Sequence, residues 1–318
     1  MYFGQQINFA DAQQALGFLA PQLLRINTEI DYQEYPDFDF AQFMFVNTDG
    51  GMWAYGSIFY SGDIAGRPEW LDGAGFDMPY ADVSTMQFLQ ENHLAGIGYE
   101  WHRQELERAA QMGRQLGSEK ARAARTVADA KIYSIAFRGD ARKNMTGLVN
   151  NAAVPTANVP ADGAGGLTTF ASKTTIQINR DINAVLNAPF NSTMETKRAN
   201  TLLLPTTRLQ YLASTPFQEG SDTTIMAFIK ANNSYTLETG QQLTIRASRE
   251  LETAGAGGTA RMMSYANQRE VLQLYLPGPH EFFEPFQKGS FTWEIPGLFN
   301  IGGVEFRRPK GAAYRDGI

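Results

Sequence analysis

The sequence predicts a mixed α+β chain, and three observations carry that expectation. Residues 118–137 hold one long helical pattern, strand-like segments flank it, and turns rich in Gly, Asp and Pro separate them. Helical and extended patterns alternate again after residue 168. Glycine and proline number 30 and 14, which suits many turns, and 43% apolar content is enough to bury a core in 318 residues.

Taken in order, residues 9–26 predict a first helix with Leu16, Leu19, Leu23 and Leu24 on one side. Residues 29–50 mix acids with aromatics and lack a helical period, so they predict an extended arm. Residues 52–60 (MWAYGSIFY) have strand character and 81–88 a weaker version of it. Between them lies a loop of about twenty residues, a length that in compact domains tends to be functional. Residues 94–102 predict a third strand and 103–113 a short helix.

The long helix has its own punctuation. Ser118 is a candidate N-cap, Glu119 suits the positive end of the dipole, and Gly139 is a stop signal. Ala121, Ala124, Ala128, Ile132 and Ile135 recur at three- and four-residue spacing, and much of that stripe is alanine, so a neighbouring layer can lie close. At about 1.5 Å per residue the rod is roughly 30 Å long. A Thr146-Gly147-Leu148-x-Asn150 turn follows it.

Residues 152–168 (AAVPTANVPADGAGGLT) form the best internal boundary. Beyond it the patterns predict a helix at 173–186, a buried strand at 201–204, and a helix begun by Pro205 with Leu209 and Leu212 inward. A helix at 223–230, a strand at 243–247, a flexible loop at 253–260 and a strand at 271–276 complete this block. Extended segments at 291–295 and 303–307 precede a basic end.

Charge is distributed unevenly along the chain. The net charge is −6, yet residues 1–100 carry fourteen acids against Arg25 and Arg67, and residues 101–150 carry ten bases against five acids. The first lysine is Lys120. Residues 1–100 also hold 19 of the 38 aromatic side chains. Two accounts of these asymmetries stay open: ordinary solvation and core completion, or an acidic aromatic surface that meets a basic one on a neighbour.

Familiar chemistry is sparse. Without cysteine there is neither a disulfide nor a thiolate, which suits a reducing compartment. No basic segment followed by an apolar run opens the sequence, and no stretch of 18 apolar residues occurs, so neither a signal peptide nor a membrane span is expected. His93, His102 and His280 lack metal or catalytic spacing, and Gly96-x-Gly98 lacks the third glycine of a dinucleotide loop. Arg138-Gly139-Asp140 matches an adhesion tripeptide but is better explained as a helix stop. No cofactor is expected. With scattered bases and pI ≈ 5.2, phosphate neutralisation cannot dominate any affinity.

The lysine-free acidic arm, the long loop flanked by strands, and the long helix followed by Gly-Asp and Thr-Gly-Leu-x-Asn resemble the major capsid proteins of tailed bacteriophages, with the Hong Kong 97-type fold. Residues 99–106 (YEWHRQEL), the helix at 118–137, residues 138–150 and the closing GGVEFRRPKGAAYRDGI carry the resemblance. It implies an N-terminal arm at 1–50, an extended loop at 51–90, a peripheral domain from 91–165 and 285–318, and an axial domain at 166–284. It implies self-assembly through pentamers and hexamers into an icosahedral-type shell around double-stranded DNA, contacted weakly and without sequence specificity. Scaffolding, portal and decoration proteins are the further partners it brings, and the virion, assembled in the host cytoplasm, is the location. Expected inter-subunit contacts are Trp53, Tyr55, Phe59, Arg67 and Trp70, with Arg122 and Arg125 facing a neighbour's acids. In some relatives a loop lysine forms an isopeptide bond with a neighbour. Here no lysine precedes Lys120, so non-covalent shells are expected. The alternatives are an encapsulin-like compartment protein, and a cytoplasmic enzyme or ligand-binding protein, for which the sequence offers no catalytic constellation.

Overall fold

The computed structural model describes residues 38–67, 80–111 and 116–318. The helix expected at 9–26, most of the arm, and Trp70 lie outside the described residues. Short strand β1 (Phe45–Asn47) leads into a long hairpin of β2 (Gly56–Ala65) and β3 (Asp82–Glu91), then β4 (His93–Gly96) and β5 (Tyr99–His102). Helices α1 (Arg103–Gln111) and α2 (Leu116–Arg138) follow, then β6 (Thr156–Asn158) and α3 (Thr175–Ser192). Next come β7 (Thr201–Leu204), α4 (Thr206–Ser214), α5 (Ile225–Ala231), α6 (Ser234–Thr239) and β8 (Thr244–Ala247). The chain closes with β9 (Arg261–Tyr265), β10 (Leu272–Tyr275), β11 (Gly278–Phe282), β12 (Phe286–Gly289), β13 (Thr292–Ile295), β14 (Gly297–Ile301), β15 (Gly303–Phe306) and β16 (Ala312–Asp316).

The centre is a five-stranded sheet in the order β6-β16-β9-β7-β8, whose three inner strands are buried on both faces. Its alternation assigns side chains to two cores. Leu203, Met263, Tyr265, Ala312 and Tyr314 face the C-terminal half of α2, where Ile132, Tyr133, Ile135 and Phe137 are buried. Leu202, Leu204, Met262 and Ala313 face Ile178, Ile182 and Val185 of α3 and Leu212, Ile225 and Ile229 of α4 and α5. Each buried Leu, Ile, Val, Met or Phe among them contributes about 1.5–3 kcal/mol when taken from water. Two-sided burial explains why β9 (RMMSY) shows no alternation that a sequence pattern could detect.

The end of α2 is where the two halves meet. Gly139 adopts φ +70, and its N–H reaches Ile135 O at 2.8 Å. The last carbonyls of the helix are then taken by the following turn. Leu148 N–H donates to Ala136 O, Val149 N–H to Phe137 O, and Asn150 Nδ2 to Arg138 O at 2.6 Å. A Cβ on Gly147 would lie 2.2 Å from Phe137 O, so only glycine permits this approach. The same turn is tied to the sheet: Tyr314 donates its hydroxyl to Leu148 O, and Arg261 donates to Val149 O at 2.6 Å. Arg261 also forms a two-pronged pair with Asp316, at 2.6 and 2.8 Å, and its guanidinium lies 4.5 Å from the Tyr314 ring centre. Asp316 takes a further bond from Ala256 N–H. This buried ion pair is well satisfied, the condition under which such a pair is tolerated.

Several expectations change in detail. The long helix begins at Leu116, so Ser118 lies inside it and is not its cap. The 94–102 segment is two strands, with Ile97 and Gly98 between them, and β2 starts at Gly56, four residues later than its aromatic content suggested. The helix expected from 173 begins at Thr175 behind a Thr174/Gln177 capping box. Pro205 is the N-cap rather than the first turn of α4. The rings at the end of the arm do not wait for a neighbour: Phe38, Phe40 and Phe43 pack on the subunit's own core, Phe43 edge-on to Phe137 at 5.1 Å. The division at residue 285 does not coincide with the strand pairing. β16 joins the five-stranded sheet with β9 and β6, whereas β10 pairs with β1 and β15, and β11 with β14. These pairings join residues far apart in the chain, Phe45 with Gln273 and Tyr314 with Thr156 among them, which composition along the chain does not encode.

Candidate assembly surface

The β2–β3 hairpin stands apart from both cores. Its ten-residue strands pair from Gly56↔Glu91 to Ala65↔Asp82, which spans about 30 Å at roughly 3.3 Å per residue. Every residue of β3 except Gln90 is exposed. The hairpin is a two-stranded sheet on its own, and such a ribbon is only marginally stable in water.

Register divides its side chains between two faces. Ile58 lies opposite Leu89, Tyr60 opposite Gln87, and Ile64 opposite Val83, so one face is largely apolar. Those apolar residues are 51–81% exposed (Ile64 the most), far more than a folded chain leaves in one contiguous strip without a partner. The other face carries Phe59 opposite Phe88, then Ser61 and Met86, Asp63 and Ser84, and Ala65 and Asp82. Phe59 and Phe88 stack at 5.0 Å, and the Arg307 guanidinium lies 5.4 Å from the Phe59 ring centre. This second face is therefore the one turned toward the body.

The root of the hairpin is pinned by amides. Asn300 Nδ2 donates to Met52 O and Ala54 O, at 2.9 and 2.8 Å, and Asn92 Nδ2 donates to Ala54 O. Gln90 Nε2 donates to Gly302 O. These bonds fix the direction in which the hairpin leaves the body.

The outer side of α2 is the second surface. Lys120 pairs with Glu105 at 2.8 Å, and the Lys120 hydrogen bond holds that carboxyl below its usual range. Lys131 pairs with Asp140, and Arg138 with Glu250. The Arg-Gly-Asp tripeptide is thus consumed locally: Asp140 also caps the next turn by accepting Arg142 N–H. Arg122 and Arg125 are exposed and form no ion pair among the described residues. Arg125 acts on Asp129, whose carboxyl is pushed up by burial more than Arg125 and His280 lower it.

The expected contact residues are scattered over these surfaces. Trp53 and Tyr55 are 74% and 77% exposed at the root, Trp53 beside Phe283 at 6.4 Å. Phe59 is half-buried within its own subunit, and Arg67 is exposed at the far end of the hairpin. The structure does not bring Arg67 to Arg122 or Arg125 as a local cluster, and Trp70 lies outside the described residues. Sequence reasoning missed Ile58, Tyr60, Ile64, Val83 and Leu89, although their period of two was visible, because it weighted aromatics above aliphatics. It also missed Arg307, whose role depends on a distant pairing.

Among the described residues no group of three His, Cys, Asp or Glu side chains is placed to hold a metal ion, and no helix is long and apolar enough to cross a membrane. His280 is buried in β11, with Nε2 3.2 Å from Ile97 O, and His102 lies 2.7 Å from the Thr292 hydroxyl.

Comparison with known proteins gives this arrangement a family. Over 94% of the chain and 98% of its counterpart, the fold is similar to the capsid of the Myoviridae phage XM1, with TM-score 0.77 at 18% identity. A chain of Microbacterium phage Oxtober96 matches with TM-score 0.62 at 13% identity, covering 98% of this chain and 99% of that one. The virus-like particle from Pyrococcus furiosus is less similar, with TM-score 0.51 at 12% identity over 87% of this chain and 92% of that one. A search of curated proteins by sequence finds no significant match. The fold is of the Hong Kong 97 type, and with the family model described as "Major capsid protein" matching residues 66–318, this chain belongs to the major capsid protein family.

Proposed function

We propose that this subunit of the phage head shell assembles with itself, through pentamers and hexamers, into an icosahedral-type container for double-stranded DNA. The observation that carries the proposal is the hairpin: a free two-stranded ribbon with an exposed apolar face has a physical reason to exist only if assembly covers it. In this view residues up to about 50 are the arm, 51–90 the loop over a neighbour, α2 with β10–β15 the peripheral part, and the five-stranded sheet with α3–α6 the axial part. The 253–260 loop, with Gly257 and Gly258 at positive φ, leads into the middle strand β9 at the end of the sheet, and an axial contact suits it.

The subunit holds its shell through buried surface rather than chemistry, and we assign it no catalytic role. The net charge of −6 suits a wall that touches packaged DNA weakly, since tight phosphate binding needs many bases. Scaffolding, portal and decoration proteins are partners for such a shell in the host cytoplasm. The family match and the greater similarity to phage capsids such as that of XM1 do not favour the encapsulin alternative.

Electron microscopy of particles purified from producing cells, combined with nuclease protection, tests the proposal. Large polyhedral shells holding nuclease-resistant DNA are expected. Small shells filled with protein, or monomers and dimers alone, would contradict it. The same washed particles should run as a single subunit band on denaturing gels, because the loop has no lysine for a cross-link.

A further inference from the structure

We propose that Glu305, acting through Arg307, is the positioning residue that aims the β2–β3 hairpin within its own subunit. A fixed aim serves the shell function above, but the contact lies inside one chain, so the two readings fail separately. The starting point is a sheet whose faces differ. In the β1-β10-β15 sheet, Val46, Leu272, Leu274, Val304 and Phe306 face the core. The other face carries the polar side chains of Asn47, Gln273 and Glu305, which are nevertheless only 7%, 0% and 3% exposed.

Stability alone gives no reason for a carboxylate there. An apolar side chain would avoid the cost of taking a charge from water, and buried ionic groups are best attested where they set register. The bonds show what this one holds. Asn47 Nδ2 donates to Gln273 Oε1 at 3.5 Å, and Gln273 Nε2 donates to Glu305 Oε2 at 2.5 Å. Arg307 Nε donates to the same oxygen at 3.3 Å, while Glu305 Oε1 accepts no bond among the described residues. The row is braced at one end, where Asn47 Oδ1 accepts Asp49 N–H. At the other end the Arg307 guanidinium lies over Phe59, which stacks on Phe88, so both strands of the hairpin are engaged.

Leverage gives this contact its effect. The amides of Asn92, Asn300 and Gln90 pin the root. Phe59 lies three residues beyond Gly56, about 10 Å further out at roughly 3.3 Å per residue. Two points of support fix a direction. On a ribbon of about 30 Å, a shift of about 1 Å at Phe59 becomes about 3 Å at the far end. A cation over a partly exposed ring is a weak attachment by itself, so it steers only if the guanidinium is held, and a charge-assisted bond to a buried carboxylate holds it.

Distance measurement between spin labels on the unassembled subunit tests the assignment. The chain has no cysteine, so Thr85→Cys on the hairpin and Val127→Cys on α2 accept labels at two chosen, exposed places. One narrow distance distribution is expected. Glu305→Gln keeps the side chain's shape and removes its charge, leaving Arg307 free to turn to water. It should lower the aimed population relative to other orientations by at least about tenfold, the factor carried by one bond to a charged group. The melt of the body should stay in place. Phe59→Leu should release the hairpin too, and the two changes together should release it no further than one, because both act through the same guanidinium. A broad distribution in the otherwise unaltered chain, or one that Glu305→Gln leaves unchanged, would overturn the proposal. So would additive effects in the combined variant, or a broadening that comes only with a lowered melt. Should Glu305→Gln fail to fold, Phe59→Leu decides, and an unchanged distribution then counts against the aim. Failure of the unaltered chain to form shells would sink the shell function and leave these distances as they are.

Discussion

The five-stranded sheet and the β2–β3 hairpin use the same backbone conformation and end in opposite states. In the sheet, β7 and β9 are buried at every position, and the one ion pair at its heart, Arg261 with Asp316, has its donors and acceptors engaged. In the hairpin, both edges are unpaired among the described residues, and the apolar face of Ile58, Tyr60, Ile64, Val83 and Leu89 is exposed. The sheet is complete in one copy of the chain. The hairpin is half of an interface, and the difference shows which free energy belongs to folding and which to assembly.

The largest expected effect breaks the comparison outright. Replacing residues 58–89 by Asn-Gly, which closes a tight turn between Ser57 and Gln90, should abolish shells while leaving the melt of the subunit nearly unchanged. Particle counts and circular dichroism on the same preparation check both halves. Next comes the opposite case. Asp316→Asn strands the buried Arg261 charge and should lower subunit stability by about 3–5 kcal/mol in urea unfolding, whether or not shells form.

Smaller changes sharpen the contrast. Ile64→Ser removes a side chain that is 81% exposed, so subunit stability should move by no more than about 0.5 kcal/mol. Shells made from it should still disassemble at lower temperature than unaltered ones, as calorimetry of particles would show. The smallest effect is expected at Asp129, whose carboxyl is pushed up mainly by burial. A raised carboxylate penalises the folded state above its folded pKa and not below its unfolded one. Asp129→Asn should therefore raise the melting midpoint at neutral pH, with the gain vanishing as pH falls through the carboxylate range.

Legibility in the sequence followed the same line. The spine helix was readable because its stripe of Ala124, Ala128, Ile132 and Ile135 is local, and Gly139 stops it by its own backbone freedom. The Thr146–Asn150 turn was visible as a motif, but its work, capping the carbonyls of Ala136, Phe137 and Arg138, depends on the chain folding back. The pairing of β16 with β9, about fifty residues earlier, was not legible, because nothing local marks it. Phe38, Phe40 and Phe43 pack on the subunit's own core, one of the two accounts left open, because a sequence cannot say whether a ring meets its own core or another's. The length of β2 was underestimated for a different reason: Ser61, Gly62 and Asp63 look like turn residues until pairing makes them strand.

The central claim is that the hairpin is finished only by assembly, and amide hydrogen exchange tests it most directly. Compared between free subunit and purified shell, the amides of residues 56–65 and 82–91 should exchange quickly in the first and slowly in the second. Amides of β7, β9 and β16 should be slow in both. Equal protection of the hairpin in the free subunit and in the shell, or equal lack of it, would contradict the account.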